Sequence, residues 1–209
     1  MPGKYRLYGW RQTGSMAIEA ALAEAGVEYD FTPVNRKIDE NYSTEYTKLN
    51  PRQQLPALML PDRSVMTEGA AMLLHIGDAF PEARLIPEPG SSLRAQHDRW
   101  LLFFAVNVYE GELRQLRPGK YTADPTGAEG VKTAADAYVE RHFQIYEQVL
   151  GSGPYLFDKH FTVIDIYVWM LAQWMDQPWL GRHCPKVKRL AEAVMVRPLI
   201  APVQGAHFD

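Results

Sequence analysis

The run "QQLPALML" (Gln53–Leu60) sets a proline at the head of an apolar stretch that otherwise reads as a sheet strand. Proline has no amide to give a ladder, so within sheets it keeps to edges, bulges or the first residue of a strand. The turn "PDRS" follows, then a second short run, "SVMTE", and then "GAAMLLHIGDAF" at helical spacing. A hairpin that opens on Pro56 and closes on Thr67-Glu68-Gly69 at a helix entry narrows the possible folds more than any other stretch of the chain.

The flanking segments extend this pattern. "YRLYGW" (Tyr5–Trp10) reads as a strand, and "SMAIEAALAEAG" as a helix that stops at Gly26. "VEYDFTPVN" (Val27–Asn35) reads as a second strand, so the first thirty-odd residues form a β-α-β unit with a parallel pair. "KIDENYSTEYTKLNP" is polar and irregular, with room for a short helix. The order β-α-β-(α)-β-β-α is that of the thioredoxin fold. The Pro-, Gly- and Ser-rich run "PEARLIPEPGSSLRA" marks a linker, and everything after it has helical periodicity. "SLRAQHDRWLLFFAVNVYEGELRQL" reads as one long amphipathic segment, "FTVIDIYVWMLAQWMD" as a buried helix, and "CPKVKRLAEAVMVRP" as the last helix. The expected organisation is an α/β thioredoxin-like domain over 1–82, a linker over 83–92 and an all-α helical bundle over 93–209.

With 209 residues and 46% hydrophobic residues, the chain can bury two cores. A net charge of −3 without a basic block argues against nucleic acid or an anionic membrane as partner. No apolar run approaches spanning length and the N-terminus lacks a signal-peptide core, so a cytoplasmic location is expected. The lone cysteine, Cys184, excludes an intrachain disulfide, and its neighbour His183 raises the question of a Cys-His nucleophile. None of the six histidines stands in metal-ligand spacing with acids, so no metal is expected.

"LNPRQQLPALML" resembles the "NPxGQVPAL" run of the glutathione S-transferases, and "MTEGAAMLLHI" resembles their "TESxAIxxYI". "FTVIDIYV" is similar to the "SxADI" helix start of their second domain, with Thr162 and Asp165 at capping-box spacing. The resemblance covers nearly the whole chain, in order, and implies glutathione as co-substrate without a metal. It implies that Pro56 is cis and that Leu55 pairs, strand-like, with the cysteinyl backbone of glutathione. It also implies that Gln54 offers its amide, and that Glu68 takes the γ-glutamyl ammonium while Gly69 presents its N–H to the γ-glutamyl carboxylate. A helix N-terminus suits that carboxylate on physical grounds, although a first-turn acid such as Glu68 also has a purely helix-stabilising use. Two departures stand out: the family's serine after the acid is Gly69, and the glycine of its proline run is Gln53.

In that family the thiol is activated at the turn before the first helix, here "GWRQTGSMAIEAAL". Lowering a thiol pKa by about two units takes roughly 2.7 kcal/mol of preferential anion stabilisation, within reach of one or two hydroxyl or amide donors. Aligned on the beta-class pattern, the catalytic cysteine falls on Gly14 and the next serine on Ser15; a theta- or delta-like serine would fall on Thr13. Ser15 and Thr13 are the candidate thiolate donors, with Tyr8 a third, and one of the two hydroxyls is expected to cap the helix. The missing cysteine removes mixed-disulfide chemistry. The place of the beta-class histidine holds Tyr109, and Trp10 and Arg11 are further candidates for a pocket fitted to a small hydrophobic electrophile. The resemblance implies a homodimer, with the long helix from Leu93 and the apolar face of Ala70–Ile76 as candidate surfaces. It implies a glutathione transferase; a glutathione-dependent isomerase, dehalogenase or ether-cleaving enzyme, and a non-catalytic glutathione-binding protein, are the alternatives.

Overall fold

The structure is a computed structural model that describes residues 3–208. Strand β1 (Tyr5–Gly9) leads into helix α1 (Ser15–Glu24), and β2 (Tyr29–Pro33) returns parallel to β1 in the register Tyr5↔Tyr29 to Gly9↔Pro33. The helix stops where glycine allows it. Gly26 adopts φ +67, its N–H donates to the Ala23 carbonyl, and the Val27 N–H donates to that of Leu22. These two bonds form a Schellman closure. A six-residue helix, α2 (Thr44–Leu49), capped by Ser43, forms in the polar stretch. Then come β3 (Ala57–Met59), β4 (Val65–Met66) and α3 (Gly69–Ala79). The sheet order is β2-β1-β3-β4, with β3 antiparallel to both its neighbours. Tyr8 therefore stands opposite Ala57, which brings the end of β1 beside the start of β3.

The chain divides into two compact units, Met1–Ile86 with Met195–Asp209, and Pro87–Val194. The sequence-based division groups all of 93–209 in one helical domain; the packing instead returns residues 195–209 to the first unit. There are two reasons. The Arg197 guanidinium forks onto the Glu24 carboxylate of α1 at 2.7 and 2.8 Å. In addition, a helix the sequence reading omits, α10 (Ala201–Phe208), packs against α1. Pro202 in its first turn is a position where proline is tolerated, and this was the available signal.

The second unit holds α4 (Ser92–Phe103), α5 (Glu110–Leu116), α6 (Ala128–Glu147), α7 (Val163–Ala172), α8 (Gln177–His183) and most of α9 (Pro185–Met195). All ten residues of α7 are buried, and Thr162 with Asp165 forms the expected capping box. Glu147 of α6 accepts from the Lys186 and Val187 amides at 3.0 Å, capping α9 from a neighbouring helix. Between α4 and α5 the chain widens into a π-helical segment, Phe104–Tyr109, where the sequence suggested continuous α-helix. Such segments are rare and often sit at functional positions. No helix among the described residues is long and apolar enough to cross a membrane.

A buried carboxyl group in this unit lacks compensation. Glu112 of α5 is 1% exposed, and neither carboxyl oxygen has a hydrogen-bond partner among the described residues. Burial holds its pKa well above the ordinary 4.5. The unfolded chain ionises this group near that value while the folded chain keeps the proton, so stability falls as pH rises above it. Glu112→Met should flatten that fall and raise stability at neutral pH by about 1–3 kcal/mol. Denaturant titrations at about pH 5 and pH 8 check this; equal pH slopes in both proteins would mean that the carboxyl is compensated.

Candidate functional site

The turn Trp10–Ser15 carries the chain from β1 into α1, and its geometry begins with a glycine. A Cβ on Gly9 would run into the side chain of Ser15 and the Phe31 ring, so only glycine lets the start of α1 lie directly on the end of β1. Gln12 is left-handed at φ +54, and Gly14 occupies the N-cap without a side-chain hydrogen bond. The expected hydroxyl cap is therefore absent; Thr13 Oγ1 only meets the Ser15 amide at 3.4 Å. Both hydroxyls point inward. Ser15 is fully buried (0% exposed), its Oγ 3.2 Å from Glu19 Oε1 and 3.2 Å from the Trp10 carbonyl. Thr13 is 5% exposed and donates to the Trp10 carbonyl at 2.8 Å. The Glu19 carboxylate is felt nearby: burial first, and then the Glu19 charge, push the Tyr29 phenol up to about 12.

The strand start lies alongside. The Leu55–Pro56 peptide is cis, the geometry the resemblance implies. The carbonyls ahead of it are satisfied from neighbouring elements. Asn41 Nδ2 donates to Gln53 (2.9 Å), and the Tyr46 hydroxyl and Asn50 Nδ2 donate to Gln54 (2.6 and 2.8 Å). Gln53 turns its side chain to Thr47 at 3.0 Å. Trp10 and Tyr8 pack against the cluster of Val34, Tyr46, Leu55 and Ala57, which joins the turn to the strand start.

Glu68 completes the group. It follows β4 by two residues, and because β4 runs antiparallel to β3 the chain enters α3 at the end of the sheet where β3 begins. The Glu68 backbone sits at φ +66, ψ +101, a conformation costing a non-glycine residue of order 1–3 kcal/mol. Its carboxylate does not cap α3; it accepts from Arg52 Nη1 at 2.9 Å, with both side chains about half exposed. Gly69 follows as the first residue of α3, so its N–H belongs to the first turn, which intrahelical bonds leave open.

The remaining candidates are placed separately. The exposed Arg11 turns its Nε to the Ala206 carbonyl at 2.8 Å. Tyr109, in the second unit, ends the π-helical segment and stacks on Tyr167 (6.3 Å between centroids, 9° between planes), with Trp174 at 5.7 Å. Cys184 is buried, and burial, followed by the charges of Glu147 and Glu140, pushes its thiol up to about 12. His183 Nδ1 meets the Trp179 carbonyl at 3.0 Å, so the two do not form a nucleophilic pair. No group of three or more metal-ligating side chains comes together among the described residues. Sequence reasoning missed Arg52, Glu19 and His207. The i, i+4 spacing of Ser15 and Glu19 on one helix face was a signal for Glu19; for His207, distant in sequence, there was none.

Residues 3–78 match the family model described as glutathione S-transferase, N-terminal domain, and residues 128–194 match glutathione S-transferase, C-terminal domain. The chain is 27% identical to glutathione S-transferase GstA of Escherichia coli O157:H7, over 77% of each chain. It is 28% identical to the GST-like protein YncG of Escherichia coli (strain K12), over 95% of this chain and 96% of that one. A glutathione transferase homologue from Sulfitobacter, solved with bound glutathione, superposes with a TM-score of 0.88 at 22% identity, covering 99% of both chains.

The contact beneath the turn gives a prediction. Gly9→Ala should lower stability by about 1–3 kcal/mol, because its methyl group meets the start of α1. Thermal unfolding measures this; a variant as stable as the parent would mean that the approach of β1 and α1 is loose.

Proposed function

The chain belongs to the glutathione S-transferase family, and we propose that it is a glutathione transferase holding the tripeptide on the first unit and presenting its thiolate to a small hydrophobic electrophile. The observation that carries this is the packing of the Trp10–Ser15 turn on the Leu55–Pro56 strand start, with the constrained Glu68 held by Arg52 at the head of α3 in the same unit. Leu55 is proposed to pair with the cysteinyl backbone and Gln54 to offer its amide. Glu68 takes the ammonium, and the Gly69 N–H, at the positive end of α3, receives the γ-glutamyl carboxylate. Arg52 keeps Glu68 oriented until the ligand arrives.

The thiol is then directed to the first turn of α1, whose open N–H groups and positive dipole favour an anion. Thr13 is the hydroxyl proposed to join them, swinging its O–H from the Trp10 carbonyl to the sulfur. Ser15, buried between the Trp10 carbonyl and the Glu19 carboxylate, is proposed to act by shaping the turn. Stabilising the thiolate supplies the nucleophile that attacks the electrophile. Trp10 and Arg11 are proposed for the electrophile's side of the site. We further propose a homodimer and a cytoplasmic location. The apolar residues Ala70, Met72, Leu73 and Ile76 of α3 are already buried in the first unit, which narrows the expected dimer surface. Leu102 (53% exposed) and Val106 (66% exposed) on the long helical segment remain for it.

Retention on immobilised glutathione followed by a chlorodinitrobenzene assay tests the reading. Glu68→Gln should weaken glutathione binding about 10- to 150-fold, the loss of one charged hydrogen bond of roughly 1.5–3 kcal/mol. Unchanged affinity would remove Glu68 from the site. Binding without turnover of several electrophiles would make this a glutathione-binding protein, or an enzyme of another glutathione-dependent class.

A further inference from the structure

The C-terminal segment ends on the turn proposed to activate the thiol, and two of its groups meet that turn directly. His207 of α10 is 4% exposed. The backbone N–H of Gln12 donates to its Nδ1 at 3.0 Å, and its Nε2 lies 2.8 Å from Glu19 Oε1. An amide can only donate, so Nδ1 is the acceptor and the ring proton sits on Nε2, donating to the carboxylate. The same Glu19 oxygen stands 3.2 Å from Ser15 Oγ. A single imidazole thus joins the backbone of the turn to the carboxylate beneath its serine.

The other contacts act in the same sense. Arg11 Nε donates to the Ala206 carbonyl at 2.8 Å, closing one of the open carbonyls in the last turn of α10 with a cation, which the helix dipole also favours. Arg197 anchors the near end of the segment on Glu24 of α1. Gln12, the residue whose N–H is held, is itself left-handed at φ +54, a conformation that L-residues disfavour. The turn therefore keeps an unfavoured backbone while a partner 195 residues away accepts its amide.

We propose that His207 is a positioning residue for the thiol-activating turn: it fixes the Gln12 amide and, through Glu19, Ser15, so that the first N–H groups of α1 and the Thr13 hydroxyl stay aimed at the sulfur. This rests on the glutathione transferase reading above only for its effect on the thiol; the hold on the turn stands on the contacts themselves. His207 acts through the turn and does not touch the substrate.

Three variants separate positioning from bulk stability. His207→Phe keeps a ring of similar size and removes both hydrogen bonds. His207→Gln restores an acceptor and a donor, and Arg197→Met loosens the segment where it leaves α9, away from His207. Amide hydrogen exchange is read without glutathione, and the ultraviolet titration of bound thiol, with kcat and KM, is read with it. His207→Phe should speed exchange at Gln12–Ser15 about tenfold or more. It should raise the apparent pKa of the bound thiol by about one unit and lower kcat about tenfold at neutral pH, with KM for glutathione nearly unchanged. His207→Gln should recover most of each effect, and Arg197→Met should lower the unfolding temperature without moving the thiol titration.

Unchanged exchange in His207→Phe would overturn the hold. Faster exchange with an unmoved thiol titration would overturn positioning and leave a structural clasp. Equal effects from Arg197→Met would overturn a local role for the imidazole. Failure of the unmodified protein to bind glutathione would overturn the functional reading, while the exchange measurement would still decide whether His207 holds the turn.

Discussion

The close approach of β1 and α1 at Gly9 and Ser15 governs the first unit. With no Cβ on Gly9, the first turn of α1 settles against the strand end, and Ser15 becomes a buried residue rather than a cap. The hydroxyl then needs a partner inside the protein. It has one in Glu19, one helical turn later, and the carboxylate in turn has the His207 imidazole. Buried polar groups of this kind hold their positions firmly only when each is satisfied. The chain satisfies this set by bringing its last helix back to its first.

The sheet order adds the second constraint. Because β1 lies between β2 and β3, the turn after β1 and the Leu55–Pro56 peptide before β3 share one end of the sheet. The antiparallel β4 then delivers the chain to α3 at that same end. Two helix N-termini, those of α1 and α3, thus belong to a single unit together with a half-exposed carboxylate. In the proposed site an extended tripeptide with two carboxylates, one ammonium and a thiol would meet positive helix ends at its carboxylate and thiolate, Glu68 at its ammonium, and backbone along its backbone.

The sequence makes visible what local chemistry dictates. Gly26 ends α1, Thr162 and Asp165 box the start of α7, the all-apolar run of α7 is buried, and Pro56 opens β3. It conceals what depends on packing across the chain. The inward turn of Ser15 follows from contact with Gly9, not from its own neighbours, and so the hydroxyls looked like caps. The π-helical widening at Phe104–Tyr109 leaves no periodicity signal within one turn. The return of residues 195–209 to the first unit depends on ion pairs and hydrogen bonds to partners nearly two hundred residues earlier, which a reading by local windows does not reach.

The most direct test of the account is the ultraviolet thiolate absorbance of glutathione bound to the unmodified protein, followed against pH. The account predicts saturable binding and a bound thiol that titrates below free glutathione, because helix N–H groups and a hydroxyl meet the sulfur. A bound thiol that titrates at or above the free value would contradict it.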